Sequence, residues 1–171
     1  MISLVYIILF VILAYLIIGI FDIRQNIFVK SINSVREGNI CLTFDDGPDP
    51  IMTPKILDIL TRHHVKGTFF LIGENVLANP ELVKQISDEG HSIGNHTYYH
   101  KTIFPISSKN RITEEIKKTN QILEKITSKK IILFRPPFGI TNPNTIYISA
   151  DDPNNVKFVQ DKATQILLKR L

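Results

Sequence analysis

The chain has 171 residues, enough for one domain of ordinary size and no more once an apolar N-terminal segment is set aside. Its formal net charge of +4 comes from Lys and Arg scattered along the sequence rather than run together, so there is no electrostatic footprint for nucleic acid and no nucleic-acid partner is expected. A single cysteine, Cys41, excludes an intrachain disulfide and a CxxC metal site, and there is no Trp to act as a stacking platform for sugars.

Met1 to Phe21 carries no charged side chain, and as a helix it is about as long as the bilayer core is thick, so 1–21 is expected to be a transmembrane anchor. A positive n-region, a shorter apolar core and a small-residue cleavage site are not visible, which favours an uncleaved anchor over a signal peptide. Arg24, Lys30 and Arg36 come after the helix, and the positive-inside rule would place the rest of the chain in the cytoplasm; Asp22 among them keeps that bias small. Residues 22–38 read as a polar connector, and 39–171 as the domain.

Asn39 to Phe44 is short, apolar and β-prone, with Cys41 inside it as a small buried hydrophobe. Gly47-Pro48 must end this strand, so Asp45 and Asp46 sit where it opens into a loop. An isolated Asp-Asp-Gly-Pro is also what an Asx-type turn looks like. Thr53 and Pro54 open a helix as N-cap and first helical residue, with Ile56, Leu57, Ile59 and Leu60 as its buried stripe and His63 and His64 as solvated end residues. Val65 to Ile72 is a second strand, and Asn79-Pro80 caps a helix carried by Leu82, Val83 and Ile86 and stopped by Gly90. His91 to Asn95 is a short third strand. Ser108 to Thr127 is a long amphipathic helix with Ile112, Ile116, Leu123 and Ile126 on one face. A fourth apolar strand, Ile131 to Phe134, leads into Arg135-Pro136-Pro137-Phe138-Gly139. Thr145 to Ser149 is a further strand candidate. Asp152-Pro153 then caps a final amphipathic helix with Val156, Val159, Ala163, Ile166 and Leu167 on one stripe.

Strand and helix alternate, which calls for a parallel sheet with right-handed crossovers, open or curling toward a barrel. Three polar motifs come directly after three strands: Asp45 with Asp46, His96 with His100, and Arg135. In such sheets one edge collects all of them. His96 and His100 have the spacing that puts two imidazoles on one side of a helical turn and within reach of one ion. With one carboxylate they make a metal site that leaves positions open for water and substrate.

Thr43 to Pro48 (TFDDGP), His96 to His100 (HTYYH) and Arg135 to Gly139 (RPPFG) resemble the first three motifs of the polysaccharide deacetylases, the NodB-homology family, over roughly residues 37–144. The resemblance implies a distorted, incomplete (β/α) barrel and metal-dependent removal of acetyl groups from sugar polymers. It implies Asp45 as general base, and Asp46, His96 and His100 as ligands of a divalent metal, zinc first and cobalt or iron next. It further implies Arg135 as the arginine that orients the base and the backbone N–H of Phe138 as oxyanion donor. The expected partners are an acetylated polysaccharide, the membrane through Met1–Phe21, and a partner chain that completes the barrel. Because glycans of this kind mostly lie outside the cytoplasm, an extracytoplasmic domain is expected against the weak charge bias.

The family also has a later Asp that buttresses the arginine and a Leu-x-His motif whose histidine serves as general acid. The last histidine of this chain is His100. Asp151 or Asp152 could be a displaced buttress, although Asp152 reads better as a helix N-cap. Absence of the acid is expected to weaken turnover, and absence of closing strands to leave the strand at 131–134 with an unpaired edge. A weak membrane-anchored deacetylase and a catalytically silent metal- or carbohydrate-binding module both remain open.

Overall fold

The computed structural model describes residues 2–28, 30–32, 40–102, 107–141 and 157–159. An apolar helix α1 (Ile2–Phe21) passes through a short 3-10 turn (Ile23–Gln25) into β1 (Ser31–Ile32). Next come β2 (Leu42–Gly47), α2 (Met52–Arg62), β3 (Gly67–Leu71), α3 (Gly73–Ala78), α4 (Pro80–Asp88), β4 (Ser92–Asn95), α5 (Lys109–Thr127), β5 (Leu133–Phe134) and β6 (Lys157–Val159). The strands form one sheet in the order β1-β6-β5-β4-β3-β2, and every pairing is parallel. With β1 and β2 as its two edges the sheet is an unclosed α/β barrel, as the alternation of elements requires.

Strand periodicity sorts the side chains. Leu42 and Phe44 of β2 and Phe69 and Leu71 of β3 pack with Leu57, Leu60, Val76, Val83, Ile86, Leu123 and Ile131 in the main core, which lies between sheet and helices. Alternate residues face the other way: Phe70 is fully buried on the inner face, where Gly94 lies opposite it. A Cβ at Gly94 would stand 2.5 Å from the Phe70 ring, so this position accepts nothing larger.

Several expectations need correction. The cap of α2 is Asp49 and not Thr53: its Oδ1 accepts from the N–H groups of Ile51 and Met52 at 2.8 and 2.6 Å, while Thr53 Oγ1 accepts from Asp49 N–H. Ile59 is 43% exposed, so only Leu57 and Leu60 of the α2 stripe are fully buried. Cys41 is exposed, because β2 begins one residue after it. The segment 22–38, read as a polar connector, contains β1. Lys157–Val159, expected within a helix, is a strand paired to both β5 and β1, so the edge of β5 is filled by the chain itself. An open ladder edge outweighs a helical pattern in so short a segment. The strand proposed at Thr145–Ser149, Asp151, Asp152 and the rest of the proposed last helix lie outside the described residues.

His63 and His64 are exposed at the end of α2, as expected. His91 is different. Its side chain is almost wholly buried, edge-on to Phe69, and Nδ1 accepts from the Gly67 N–H at 3.2 Å. Burial, aided by the Lys66 ammonium, pushes its pKa below the ordinary value against the opposing pull of Glu89, whose carboxylate lies 3.6 Å from Nε2. The unfolded chain then takes up a proton near pH 6.5 that the folded one still refuses, so stability is full above that pH and falls as the pH drops below it. Melting curves between pH 7 and 5 should therefore show a larger loss in Tm for the wild type than for His91→Gln, which retains an acceptor for Gly67. Parallel profiles would show that His91 is not responsible.

Candidate metal centre

The site grows from the inner face of β2. Phe44 points to the helices, so Asp45 points inward. Between Phe44 and Gly47 the register with β3 slips, and within this bulge Asp46 adopts a left-handed backbone with φ of 67°. Asp tolerates that region better than most residues, and the turn re-aims its carboxylate across the sheet edge. Asn75 Nδ2 donates to the Asp46 carbonyl at 2.8 Å and Ile72 N–H to that of Gly47 at 2.9 Å, which pins the bulge to the start of α3. The two carboxylates are thus part of a strand bulge, one step before the loop in which they were expected.

β4 delivers the histidines, though not on a helical turn. Residues 96–100 form an irregular loop in which Thr97 and His100 both have positive φ, 68° and 51°. Side chains replace the missing helical bonds: Asn95 Oδ1 accepts from Thr97 N–H at 2.8 Å and Thr97 Oγ1 accepts from His100 N–H at 3.1 Å. Asn95 in turn donates to the Ile116 carbonyl and to Asn120 Oδ1, fixing the loop to α5. The imidazoles end with centroids 4.8 Å apart.

β5 supplies Arg135, which is 4% exposed and joins both halves. Its Nη1 donates to Asp45 Oδ1 at 2.7 Å and to Thr43 Oγ1 at 2.9 Å, and its guanidinium lies 4.2 Å from the Phe70 ring centroid. Its carbonyl accepts from His96 Nδ1 at 2.6 Å. Phe138, three residues on, has φ of 60°, is 53% exposed and packs its ring 5.0 Å from that of His100. Asp45, Asp46, His96, His100, Arg135 and Phe138 are therefore brought to one edge. Thr43 and Asn95 were legible as motif and strand residues, but nothing in the sequence said what they touch, and Asn75, on the unexpected helix α3, carried no signal at all.

The donor set fits a cation. Because a carbonyl only accepts, His96 carries its proton on Nδ1, and its Nε2 lone pair faces Asp46 Oδ1 at 3.4 Å. His100 Nε2 lies 3.3 Å from the same oxygen, and one donor atom from each of the three residues falls within 4.8 Å of the others. A lone pair set against a carboxylate is repulsive unless a positive charge lies between them. Burial, together with neighbouring His96, pushes His100 below the ordinary histidine value, which favours the neutral imidazole that binds metals.

A family profile described as polysaccharide deacetylase matches residues 33–155. Over 104 residues the chain is 47% identical to a peptidoglycan-N-acetylglucosamine deacetylase of Bacillus cereus, a match covering 61% of this chain and 38% of that protein. Among solved structures, a peptidoglycan N-acetylglucosamine deacetylase superposes with a TM-score of 0.69 at 40% identity, over 75% of this chain and 58% of that one. A CE4 family pseudoenzyme from Bacillus anthracis gives 0.73 at 30% identity, over 83% and 50%. The chain thus spans well under two thirds of the length of these relatives.

Chelator-stripped protein should gain several degrees in Tm when a divalent ion is restored. His96→Ala and Asp46→Asn should each weaken binding by about tenfold or more in a metal titration. Unaltered affinity in both variants would place the ion elsewhere.

Proposed function

Since this chain belongs to the polysaccharide deacetylase family, we propose that it is a metal-dependent hydrolase that removes N-acetyl groups from an acetylated glycan, with peptidoglycan the first choice because similar proteins carry that name. The observation that carries the reading is the Asp46 carboxylate facing two histidine nitrogens, one with its tautomer fixed, beside a second carboxylate gripped by Arg135. Held by Asp46, His96 and His100, a divalent ion would polarise an acetamide carbonyl and acidify water; zinc suits two histidines and a carboxylate best, with cobalt and iron next.

The protein's own groups do the rest. Asp45 takes the proton of the attacking water, and Arg135 with Thr43 keeps that carboxylate in one orientation. The backbone N–H of Phe138 meets the charge that develops on the acetyl oxygen. When the C–N bond breaks, the sugar amine needs a proton, and Asp45 holds the one just taken from water. Water and amide become acetate and amine with no other reagent. The competing reading is a silent module that binds metal and sugar, and the similarity to a CE4 family pseudoenzyme is what speaks for it.

We further assign 1–21 as an uncleaved anchor, 22–38 as the joint and 39–171 as the deacetylase domain, facing away from the cytoplasm. Support comes from the 20-residue apolar helix and from Thr141, whose buried N–H and hydroxyl donate to the carbonyls of Ile20 and Gly19 at 3.0 and 3.1 Å. Cleavage after the helix would strand both groups. Because β5 is paired by β6, no partner chain is assigned to that edge.

The test is acetate release from an N-acetylated chitin oligosaccharide by the full-length protein in detergent with added zinc or cobalt. Release should fall by roughly 10²-fold or more in Asp45→Asn with metal content unchanged. It should vanish together with bound metal in Asp46→Asn. Folded, metal-loaded protein that releases no more acetate than Asp45→Asn would assign the silent module.

A further inference from the structure

Between α1 and β1 the described residues, 22–28 and 30–32, are folded and not a tether. Phe21 is followed at once by Asp22 and the 3-10 turn, Ile23 is buried, and Asn26 caps the turn in a left-handed conformation. Ser31, the first residue of β1, donates from its hydroxyl to the Ile23 carbonyl at 3.2 Å and from its N–H to Asn26 Oδ1 at 2.7 Å. Gly19 lies so close to Ile27 and Phe28 that a Cβ there would meet both side chains at 2.9 Å. Thr141 then locks the last turn of α1 from the other side.

This lock sits beside the candidate metal centre. Thr141 is three positions beyond Phe138, at most about 10 Å of extended chain, and the Phe138 ring centroid is 5.0 Å from that of His100. The sheet gives the same answer. Ser31, Phe158, Phe134, Asn95, Leu71 and Gly47 form one continuous row of register partners. Asp46, His96 and Arg135 are the immediate chain neighbours of that row. Three strand spacings, about 15 Å, separate Ser31 from Asn95. Residues 2–21 as a helix are about 30 Å long, the thickness of the bilayer core, so its last turn lies at one membrane face. The cluster is then held within roughly 20 Å of the lipid surface by a joint without slack.

Resting on the reading of this chain as an anchored deacetylase, we infer that its substrate is an acetamido sugar carried on a membrane lipid. A rigid site so close to the bilayer reaches the first sugars of a lipid-borne glycan and not polymer held farther out. Native Cys41 provides an internal control: it is exposed at the start of β2, six residues before the row, about 20 Å away at the far end of the strand.

Two measurements on the full chain in phospholipid nanodiscs test this. In the first, a fluorophore on native Cys41 is compared with one at Lys101→Cys in a Cys41→Ser background, using lipids that carry a nitroxide on the headgroup. Quenching should be at least twofold stronger at 101; equal quenching, or stronger quenching at 41, overturns the placement. In the second, acetate release from N,N′-diacetylchitobiose coupled to a dialkylglycerol in the same nanodiscs is compared with release from its soluble methyl glycoside. A kcat/KM at least tenfold higher for the lipid-borne sugar supports the inference, and equal values overturn it. Failure of the underlying deacetylase reading shows separately, as no acetate from either sugar.

Discussion

Arg135 is the constraint on which the rest of the site depends. One end of the residue, its carbonyl, fixes the proton of His96 on Nδ1 and so exposes Nε2 to Asp46. The other end grips Asp45 and Thr43. A single buried arginine therefore sets both the tautomer of a candidate metal ligand and the direction of the neighbouring carboxylate. Burying a guanidinium is tolerable only when it is well partnered, and here the ion pair, a hydroxyl and the face of Phe70 share the task. Its N–H also bonds the Asn95 carbonyl, so the residue cannot shift without moving the exit of β4.

That arrangement imposes demands on the sheet beneath it. Phe70 must lie flat under the guanidinium, and it can do so only because Gly94 on the next strand leaves its side open. Pairing is equally strict: the row through Gly47, Leu71, Asn95 and Phe134 places the three site-bearing segments at the same level, and a slip of one residue on any strand would send its polar groups into the helix-facing core. Among the described residues, the bulge in β2 is the one break in register. It lets two adjacent residues, which ordinary alternation would turn to opposite faces, serve the same cleft.

Much of this was legible in the sequence, and for identifiable reasons. The alternation of short β-branched runs with amphipathic stretches forces a parallel sheet, and a parallel sheet gathers the segments that leave its strands on one edge; that is why Asp46, His96 and His100 converge although they are far apart in the chain. What failed was local. The HxxxH spacing suggests a helical turn, but Asn95 and Thr97 use their side chains to build a tighter loop, and a spacing rule does not register such competition. Thr53 looked like the cap of α2 because Pro54 comes next, yet Asp49 reaches two N–H groups from farther upstream. Lys157–Val159 shows an override of a helical spacing: Phe158 and Val159 suit a strand, and they take the conformation that the open edge of β5 offers.

The same edge explains why the apolar N-terminal helix belongs to the fold and is not an appendage. β6 contributes three residues and β1 only two, too few for either to persist alone beside β5. β1 is held by Ser31, which bonds the 3-10 turn, and the turn is held by the last residues of α1, which Thr141 fastens in turn to the segment after Phe138. The chain thus closes a circuit from α1 through β1, β6 and β5 back to Thr141. Each link is weak by itself, but opening any one of them would expose Thr141 or the edge of β5, so the links are lost or kept together. A segment whose composition suits it for lipid also completes the flank of the sheet that carries Arg135.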